Sequence, residues 1–226
     1  MLSLIIFLIF PASLSGSYLP VTGKVSVGLY YESLCPYSAK FVIDQLANIV
    51  TDGQLLPIVN LHLSPWGNAK IGANDTISCQ HGPYECLLNT VEACAIDSWP
   101  LLSEHFPLIY CIESLVSEGN YAEWNGCFEN GGLESEPVMN CIANGRGKEL
   151  ELRYAAETEA LIPPHEYVPW VIVNGEPLYE DYDNVVGYIC DAYEGSSVPQ
   201  ACDGLAPSLD ITKSSRYSNK RFVSYE

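Results

Sequence analysis

Residues 25–46 have the sequence VSVGLYYESLCPYSAKFVIDQL, in which a strand pattern, a cysteine and a helix pattern follow one another. The stretch 25–31, rich in valine and tyrosine, predicts a β-strand. The apolar spacing after Ser38 predicts an amphipathic helix that ends near Val50. Cys35 lies where the first pattern gives way to the second. A helix N-terminus offers unpaired N–H groups and a partial positive charge, so a thiolate is stabilised at this position.

The pattern further along the chain predicts an α/β fold with a helical insertion. A strand over 55–63 completes a βαβ unit, in which a parallel strand pair is expected. Residues 64–76, rich in glycine and asparagine, are predicted to be loop. The insertion is predicted over about 79–161, because apolar residues recur there at helical spacing. Six of the nine cysteines also lie in it, between Cys79 and Cys141.

The remaining chain predicts a strand pair, a final helix and a tail. Residues 167–176 combine apolar β-branched residues with an Asn-Gly pair at 174–175, which is typical of a tight hairpin turn. A helix is predicted over 184–192 from its apolar spacing. Residues 203–226 are polar and irregular, and we expect this tail to be disordered or removed.

The N-terminal sequence predicts entry into the secretory pathway. Residues 1–17 combine a short apolar run with a zone of small residues, as in a signal peptide. No later stretch is long and apolar enough to span a bilayer. The formal net charge of −18 excludes a general nucleic-acid surface, because phosphate binding needs positive charge. We therefore expect a soluble monomer, secreted or in a lysosomal or vacuolar lumen, and glycosylated at Asn74 of the sequon Asn74-Asp75-Thr76.

Nine cysteines in a secretory chain predict extensive disulfide bonding. An odd number leaves at least one thiol over, free or bonded to another molecule. Cys35 is the natural candidate, because it lies apart from the rest along the chain. The other eight allow four structural disulfides, and the sequence does not select their pairing: Cys79, Cys86, Cys94, Cys111, Cys127, Cys141, Cys190 and Cys202.

Residues 79–94 have the sequence CQHGPYECLLNTVEAC, which is the pattern C-Q-H-G-x2-E-C-x2-N-x4-C. This pattern resembles the signature of the gamma-interferon-inducible lysosomal thiol reductase family, and the resemblance extends from about Lys24 to about Cys202. It implies a thioredoxin-like fold with a disulfide-stapled helical insertion over 24–202. It also implies reduction of protein disulfides, favoured at acidic pH in endosomes and lysosomes, with Cys35 as the nucleophile.

The resemblance also assigns a place to Pro169. In thioredoxin-like folds a proline at this place has a cis peptide bond and faces the reactive sulfur, and its neighbour's backbone pairs with an extended substrate. The family chemistry needs no organic cofactor. We also expect no metal, because the cysteines of the signature, considered with His81 as zinc ligands, lack a C-x2-C knuckle.

The signature also contains three polar residues, His81, Glu85 and Asn89, that lie four apart. They share one helical face if the helix starts early enough. A packed polar network is the favoured interpretation of this spacing, because buried polar groups are normally hydrogen-bonded. A role for His81 as a proton shuttle is the alternative.

The chain departs from the reactive C-x-x-C motif of the family at Ser38. In a dithiol reductase the second thiol releases the product from a mixed disulfide, and a serine hydroxyl cannot perform that step. Ser38 can instead donate a hydrogen bond to the Cys35 thiolate. Release must then come from an external small thiol such as glutathione or cysteine, or from a thiol of the substrate itself, which gives isomerisation.

Three functions remain open at this point. The first is a thiol-disulfide oxidoreductase that acts on disulfide-containing proteins through a single nucleophilic cysteine, with small thiols as the reductant. The second is a non-catalytic relative that holds thiol-bearing clients by mixed disulfides. The third is an inert secreted protein in which Cys35 is unreactive, and the position of Cys35 at a helix start argues against it.

Overall fold

A computed structural model describes residues 23–205 of the 226-residue chain. The strands, in chain order, are β1 (Val25–Tyr31), β2 (Val59–Pro65), β3 (Lys70–Ile71), β4 (Ile77–Ser78), β5 (Trp170–Val173) and β6 (Glu176–Pro177). The α-helices, in the same order, are α1 (Pro36–Phe41), α2 (Ala47–Thr51), α3 (Pro83–Ser98), α4 (Leu102–Ser117), α5 (Gly126–Asn130), α6 (Glu136–Ala143), α7 (Arg146–Glu159) and α8 (Val185–Ala192).

The main sheet has the strand order β2-β1-β5-β6. Strand β1 pairs in parallel with β2 and antiparallel with β5, so the predicted parallel pair is confirmed. Strands β5 and β6 are joined by a tight turn at Asn174 and Gly175, whose φ values are 48° and 89°. Asn174 also accepts a hydrogen bond from the Ser26 N–H at 2.8 Å, which ties the turn to β1. This strand order, with a helix joining the parallel pair, confirms the thioredoxin-like α/β fold.

A single helical stretch follows Cys35 and packs on the sheet. It runs through α1, a π-helical turn over Val42–Leu46 and α2, and it ends at Thr51, close to the predicted end at Val50. The apolar spacing places one face of this stretch in the same buried core as β1, and the residues of that face are Phe41, Val42, Leu46 and Ile49.

The insertion lies between β2 and β5 and contains the β3–β4 hairpin and helices α3 to α7. These helices enclose a second apolar core, which includes Leu88, Leu108, Ile112, Phe128 and Leu150. Three disulfides lie within the insertion, and a fourth joins α8 to the turn that follows it. The pairs are Cys79–Cys86, Cys94–Cys141, Cys111–Cys127 and Cys190–Cys202.

The predicted boundaries of the second strand are wrong at both ends. The strand expected over 55–63 begins only at Val59, because Leu56–Ile58 forms a 3-10 turn that contains Pro57. Proline lacks the N–H that a sheet ladder needs, and its fixed φ suits a turn. The strand then continues through Pro65, into residues that were predicted to be loop.

Other expectations differ from the structure in smaller ways. The β3–β4 hairpin occupies part of the segment predicted as loop, and β5 begins at Trp170, directly after Pro169. The predicted signal peptide over 1–17 lies outside the described residues, as does the tail prediction beyond residue 205. No helix within residues 23–205 combines the length and the hydropathy that crossing a membrane requires.

Candidate active site

Cys35 is the residue directly before α1. All nine cysteines lie in the described part of the chain, and Cys35 is the free one among them. Its N–H donates to the Glu32 carbonyl at 3.2 Å, and its own carbonyl accepts from the Ala39 N–H at 3.0 Å. Pro36 occupies the first helical position, where a missing N–H leaves nothing unpaired. Cys35 is only 5% exposed, so a small part of the residue meets solvent.

The sulfur of Cys35 lies against the segment that leads into β5. Its thiol donates to the Val168 carbonyl oxygen at 3.8 Å, and the peptide bond between Val168 and Pro169 is cis. Both of these residues are buried. The fold thus brings the Val168-Pro169 segment next to Cys35, although 133 residues separate Cys35 from Val168 along the chain.

Ser38 lies in the first turn of α1 and is fully buried. Its hydroxyl has no hydrogen-bond partner, and the hydrogen bond expected from Ser38 to the Cys35 thiolate stays a prediction. The Cys35 sulfur lies against the carbonyl oxygen of Val168, to which it donates. The hydroxyl of Ser38 therefore remains an unused donor one helical turn from the sulfur.

Two tyrosines that the sequence analysis did not single out belong to the site. Tyr37 lies inside the C-x-x-S motif and is 66% exposed. Tyr182 packs edge-to-face on Phe41 at 5.9 Å between ring centroids. Burial, followed by the negative charge of Asp183 and smaller contributions from other groups that include Cys35, raises the pKa of Tyr182. The position of Tyr37 within the motif was the one signal available in the sequence.

The signature helix α3 holds the loop that leads to Cys35. The Asn89 Oδ1 accepts a hydrogen bond from the Ser33 N–H at 2.9 Å, and the Ser33 hydroxyl donates to the Glu85 carbonyl at 3.3 Å. Ser33, Glu85 and Asn89 are all fully buried. These bonds satisfy polar groups that would otherwise be buried without partners, and they fix the backbone two residues before the reactive sulfur.

His81 lies outside helix α3, and the expectation that it shares a helical face with Glu85 and Asn89 is wrong. The helix begins only at Pro83, after Gly82, whose φ of 92° is accessible mainly to glycine. His81 still reaches Glu85, because its Nδ1 lies 2.5 Å from the Glu85 Oε2. The Cys79–Cys86 disulfide closes the turn that contains His81. These contacts agree with the packed-network interpretation.

A second polar cluster, which the sequence analysis missed, is completely buried. The Tyr31 hydroxyl donates to the Glu92 Oε2 at 2.5 Å, and Glu113 is buried beside this pair. Burial raises the pKa of Glu92 to about 8. Burial, and next the charge of Glu92, raise the pKa of Glu113 well above its usual range, with Cys35 adding to the effect. No Lys or Arg within residues 23–205 pairs with either carboxyl group.

A thiol held at a helix start on this sheet, beside an exposed tyrosine, can exchange with a disulfide of another molecule. The chain is therefore a thioredoxin-like thiol-disulfide oxidoreductase. Residues 26–131 match the family model described as Gamma interferon inducible lysosomal thiol reductase (GILT). Two relatives that are 41% and 36% identical over most of their length show that the chain belongs to this family, as its signature indicated.

Relatives across plants and animals have similar sequences over most of the chain. The Gamma-interferon-responsive lysosomal thiol protein of Arabidopsis thaliana is 41% identical over 208 residues, which cover 90% of this chain and 85% of that protein. The Gamma-interferon-inducible lysosomal thiol reductase of Mus musculus is 36% identical over 195 residues, covering 84% and 76%. Among solved structures, the oxidoreductase DsbA from Xylella fastidiosa is similar, with a TM-score of 0.46, 17% identity, and coverage of 69% and 76%.

Proposed function

We propose that this protein reduces or rearranges disulfides of other proteins through Cys35 alone, and that an external small thiol completes each turnover. The observation that carries the proposal is the pair formed by Cys35 and Ser38. Cys35 is free and precedes α1, and the residue one turn later is a serine whose hydroxyl is buried without a partner. A reactive sulfur is thus available, and a resolving sulfur is not.

The proposed reaction proceeds by three thiolate attacks. The Cys35 thiolate attacks one sulfur of the substrate disulfide, which forms a mixed disulfide and releases the other substrate sulfur as a thiolate. A glutathione or cysteine thiolate then attacks the Cys35 sulfur and releases the second substrate thiol. A second small thiol attacks the small-molecule sulfur of the new mixed disulfide, which restores Cys35. The net reaction reduces one substrate disulfide and oxidises two small thiols to their disulfide.

The residues around the sulfur have separate parts in this proposal. In the resting state the Val168 carbonyl accepts a hydrogen bond from the Cys35 thiol. Loss of the thiol proton breaks this hydrogen bond. The buried hydroxyl of Ser38, one helical turn later, is then a candidate donor for the thiolate, because it has no other partner. The backbone beside Pro169 offers a site for an extended substrate segment, and the exposed ring of Tyr37, two residues after Cys35, offers an apolar contact.

A second function, in which the protein holds clients by mixed disulfides without turnover, is favoured by one observation. Cys35 is 5% exposed and Ser38 is fully buried. A small thiol must therefore approach a sulfur that is largely covered, and a bound client covers it further. In this case release is slow and the mixed disulfide persists.

A multiple-turnover assay with a protein disulfide substrate and glutathione or cysteine distinguishes the two functions. The first predicts continued product formation that is lost in Cys35→Ala. The second predicts at most one equivalent of product and a client that stays attached to Cys35, detectable by mass spectrometry under non-reducing conditions. If the intact native protein neither turns over nor forms an adduct at Cys35 with iodoacetamide, both functions are excluded.

We further propose that the catalytic domain covers residues 24–202 and acts as a monomer in a secretory, lysosomal or vacuolar lumen. Four disulfides among the described residues fit such an oxidising route.

Asn74 is exposed in the turn between β3 and β4, where a glycan would not clash with the core. Glycosidase treatment should shift the mass of the expressed protein but not that of Asn74→Gln. N-terminal sequencing of the mature protein should begin after about residue 17.

A further inference from the structure

Two buried carboxylates converge on one imidazole nitrogen next to the loop that leads to Cys35. The Nδ1 of His81 lies 2.5 Å from the Glu85 Oε2 and 3.4 Å from the Glu32 Oε1. One ligand-type atom from each of the three residues lies within 4.8 Å of the other two. Glu32 and Glu85 are 1% and 0% exposed, whereas the side chain of His81 is 35% exposed. The carboxylates thus form the inner wall of the cluster, and His81 forms its solvent side.

Each carboxylate is held by a backbone N–H through one oxygen, and its other oxygen is left for the cluster. The Asn68 N–H donates to the Glu32 Oε2 at 2.9 Å, and the His81 N–H donates to the Glu85 Oε1 at 3.2 Å. Carboxylate ligands of bound metals are typically oriented by outer hydrogen bonds of this kind.

Gly67 makes room for the carboxyl group of Glu32. Its φ is +57°, and a Cβ atom added there would lie 2.6 Å from the Glu32 Oε2 and 2.8 Å from the Glu32 Cβ. Any other residue at this position would push Glu32 out of the cluster or strain the backbone. The position of the inner carboxylate is therefore built into the fold.

The cluster contains one more hydrogen-bond acceptor than its hydrogen-bond donors can satisfy. The Nδ1 of His81 carries at most one hydrogen, and the Glu85 Oε2 at 2.5 Å accepts the hydrogen bond that it makes. The Glu32 Oε1 is buried and has no hydrogen-bond partner. No Lys or Arg among residues 23–205 forms an ion pair with Glu32 or Glu85. A buried carboxylate oxygen without a partner is costly, so the Glu32 Oε1 would be stabilised by one more positively charged group.

From this geometry we infer that Glu32, His81 and Glu85 form a binding site for a divalent transition metal ion, with Zn²⁺ as the ion that fits best. The ion would replace the hydrogen between the His81 Nδ1 and the Glu85 Oε2, which is released as a proton, and would contact these two atoms and the Glu32 Oε1. One imidazole with two carboxylates is a ligand set that zinc accepts, with water in the remaining position. An imidazole nitrogen among the ligands disfavours Ca²⁺ and Mg²⁺, which prefer oxygen alone.

The inferred ligands differ from those that the sequence analysis considered and set aside. The ligands considered there were the cysteines of the signature together with His81, and Cys79 and Cys86 are in fact joined in a disulfide. Glu32 lies far from the signature along the chain and reaches the site only through the fold. A bound ion would tie the residue three positions before Cys35 to the turn that contains His81.

Isothermal titration of Zn²⁺ into the whole protein carrying Cys35→Ser tests the site, because this background removes the free thiol as a competing ligand. We expect binding of one ion per chain. His81→Ala and Glu32→Gln should each weaken the binding by at least about tenfold. His62→Ala is the matched control, since His62 pairs with a single carboxylate, Glu157, elsewhere on the surface, and it should leave the affinity unchanged. Equal affinities in His81→Ala and His62→Ala would overturn the inference, as would no binding at all.

X-ray absorption of the zinc-loaded protein gives an independent answer if His81→Ala fails to fold. We expect a first shell of nitrogen and oxygen at about 2.0–2.2 Å with no sulfur. Sulfur at about 2.3 Å in the Cys35→Ser background would place the ion at another site and refute the assignment. The Glu32→Gln variant keeps an oxygen for the Asn68 N–H, so its near-UV circular dichroism should match that of its parent.

Discussion

Asn89 and Ser33 are joined by a hydrogen bond across 56 residues of chain: the Asn89 Oδ1 accepts from the Ser33 N–H at 2.9 Å, and both residues are fully buried. Asn89 belongs to the signature helix of the insertion, and Ser33 belongs to the loop between β1 and Cys35. The bond therefore fixes the loop that presents the reactive sulfur to an element of the insertion. This gives the asparagine of the signature a physical role, namely to position the residues that precede Cys35.

Asn89→Ala should lower stability and loosen the active-site loop. The substitution leaves the buried Ser33 N–H without an acceptor, which costs about 1–3 kcal/mol in the free energy of unfolding. Urea unfolding measures this loss. The rate at which iodoacetamide alkylates Cys35 in the native protein should rise several-fold, because the loop opens more often.

Asn125→Ala is the control for this prediction. Asn125 is exposed, and its side chain makes no capping hydrogen bond to α5. It should change neither the unfolding free energy nor the alkylation rate by a measurable amount. A similar loss of stability in both variants would mean that the effect of Asn89→Ala does not come from the bond to Ser33.

Ser38→Cys should convert the site to a dithiol that no longer needs an external thiol to release its product. Ser38 is buried one turn after Cys35, and its hydroxyl makes no hydrogen bond that the substitution would break. Thiol titration after mild oxidation should find no free thiol in the variant, whereas the wild-type protein keeps one. Single-turnover reduction of a disulfide substrate should then go to completion without glutathione.

Ser38→Ala is the matched variant for this test, because it changes the same atom without adding sulfur. It should behave like the wild-type protein in its need for an external thiol. If Ser38→Cys keeps two free thiols under oxidising conditions, the two side chains are not within bonding reach, and the role proposed for position 38 is wrong.

Local sequence patterns were sufficient for the parts of the structure that depend on neighbours along the chain. The valine and tyrosine run at 25–31 forms a strand, and the Asn-Gly pair at 174–175 forms the predicted tight turn. Cys35 precedes a helix as expected because Pro36 starts one. Pro57 indicates that the second strand begins late, but the apolar residues around it favour a strand that begins earlier.

Contacts between distant residues could not be predicted in this way. Glu32 precedes Cys35 in a loop, and no periodicity relates it to His81, although the fold brings their side chains together. The burial of Glu92 could not be predicted from the sequence either, since a glutamate on a helix normally faces solvent. Its complete burial against Tyr31 follows from how α3 packs on the rest of the fold. The pairing of the eight bonded cysteines likewise depends on helix packing.

The protein should be more stable in mildly acidic than in alkaline solution because of Glu92. Burial raises the pKa of this carboxyl group from 4.5 to about 8, so the folded state retains a proton that the unfolded state releases between these values. The stabilisation is complete below the unfolded pKa and is lost as the pH rises through the folded one. The free energy of unfolding should fall by about 1.4 kcal/mol per pH unit for each such proton. Urea unfolding at pH 5, 6, 7 and 8 measures the slope.

Glu92→Gln should flatten this slope, because the amide does not titrate and can still accept the hydrogen bond from Tyr31. Glu134→Gln replaces the same type of side chain at an exposed position and serves as the control. It should leave the slope intact. Parallel stability profiles for the two variants would show that general charge repulsion, with a net charge of −18, causes the pH dependence instead of Glu92.

The disulfide between Cys94 and Cys141 should contribute more stability than the one between Cys79 and Cys86. The first closes a sequence separation of 47 residues and the second a separation of 7, and a longer closed loop restricts the unfolded chain more. Chain entropy alone predicts a difference of about 2 kcal/mol between the two double-alanine variants. Cys94 is also completely buried against α6 and α7, so its loss removes packing as well. Urea unfolding of both variants tests the order, and a larger loss on removing Cys79–Cys86 would instead assign that bond a dominant role in holding the turn that contains His81.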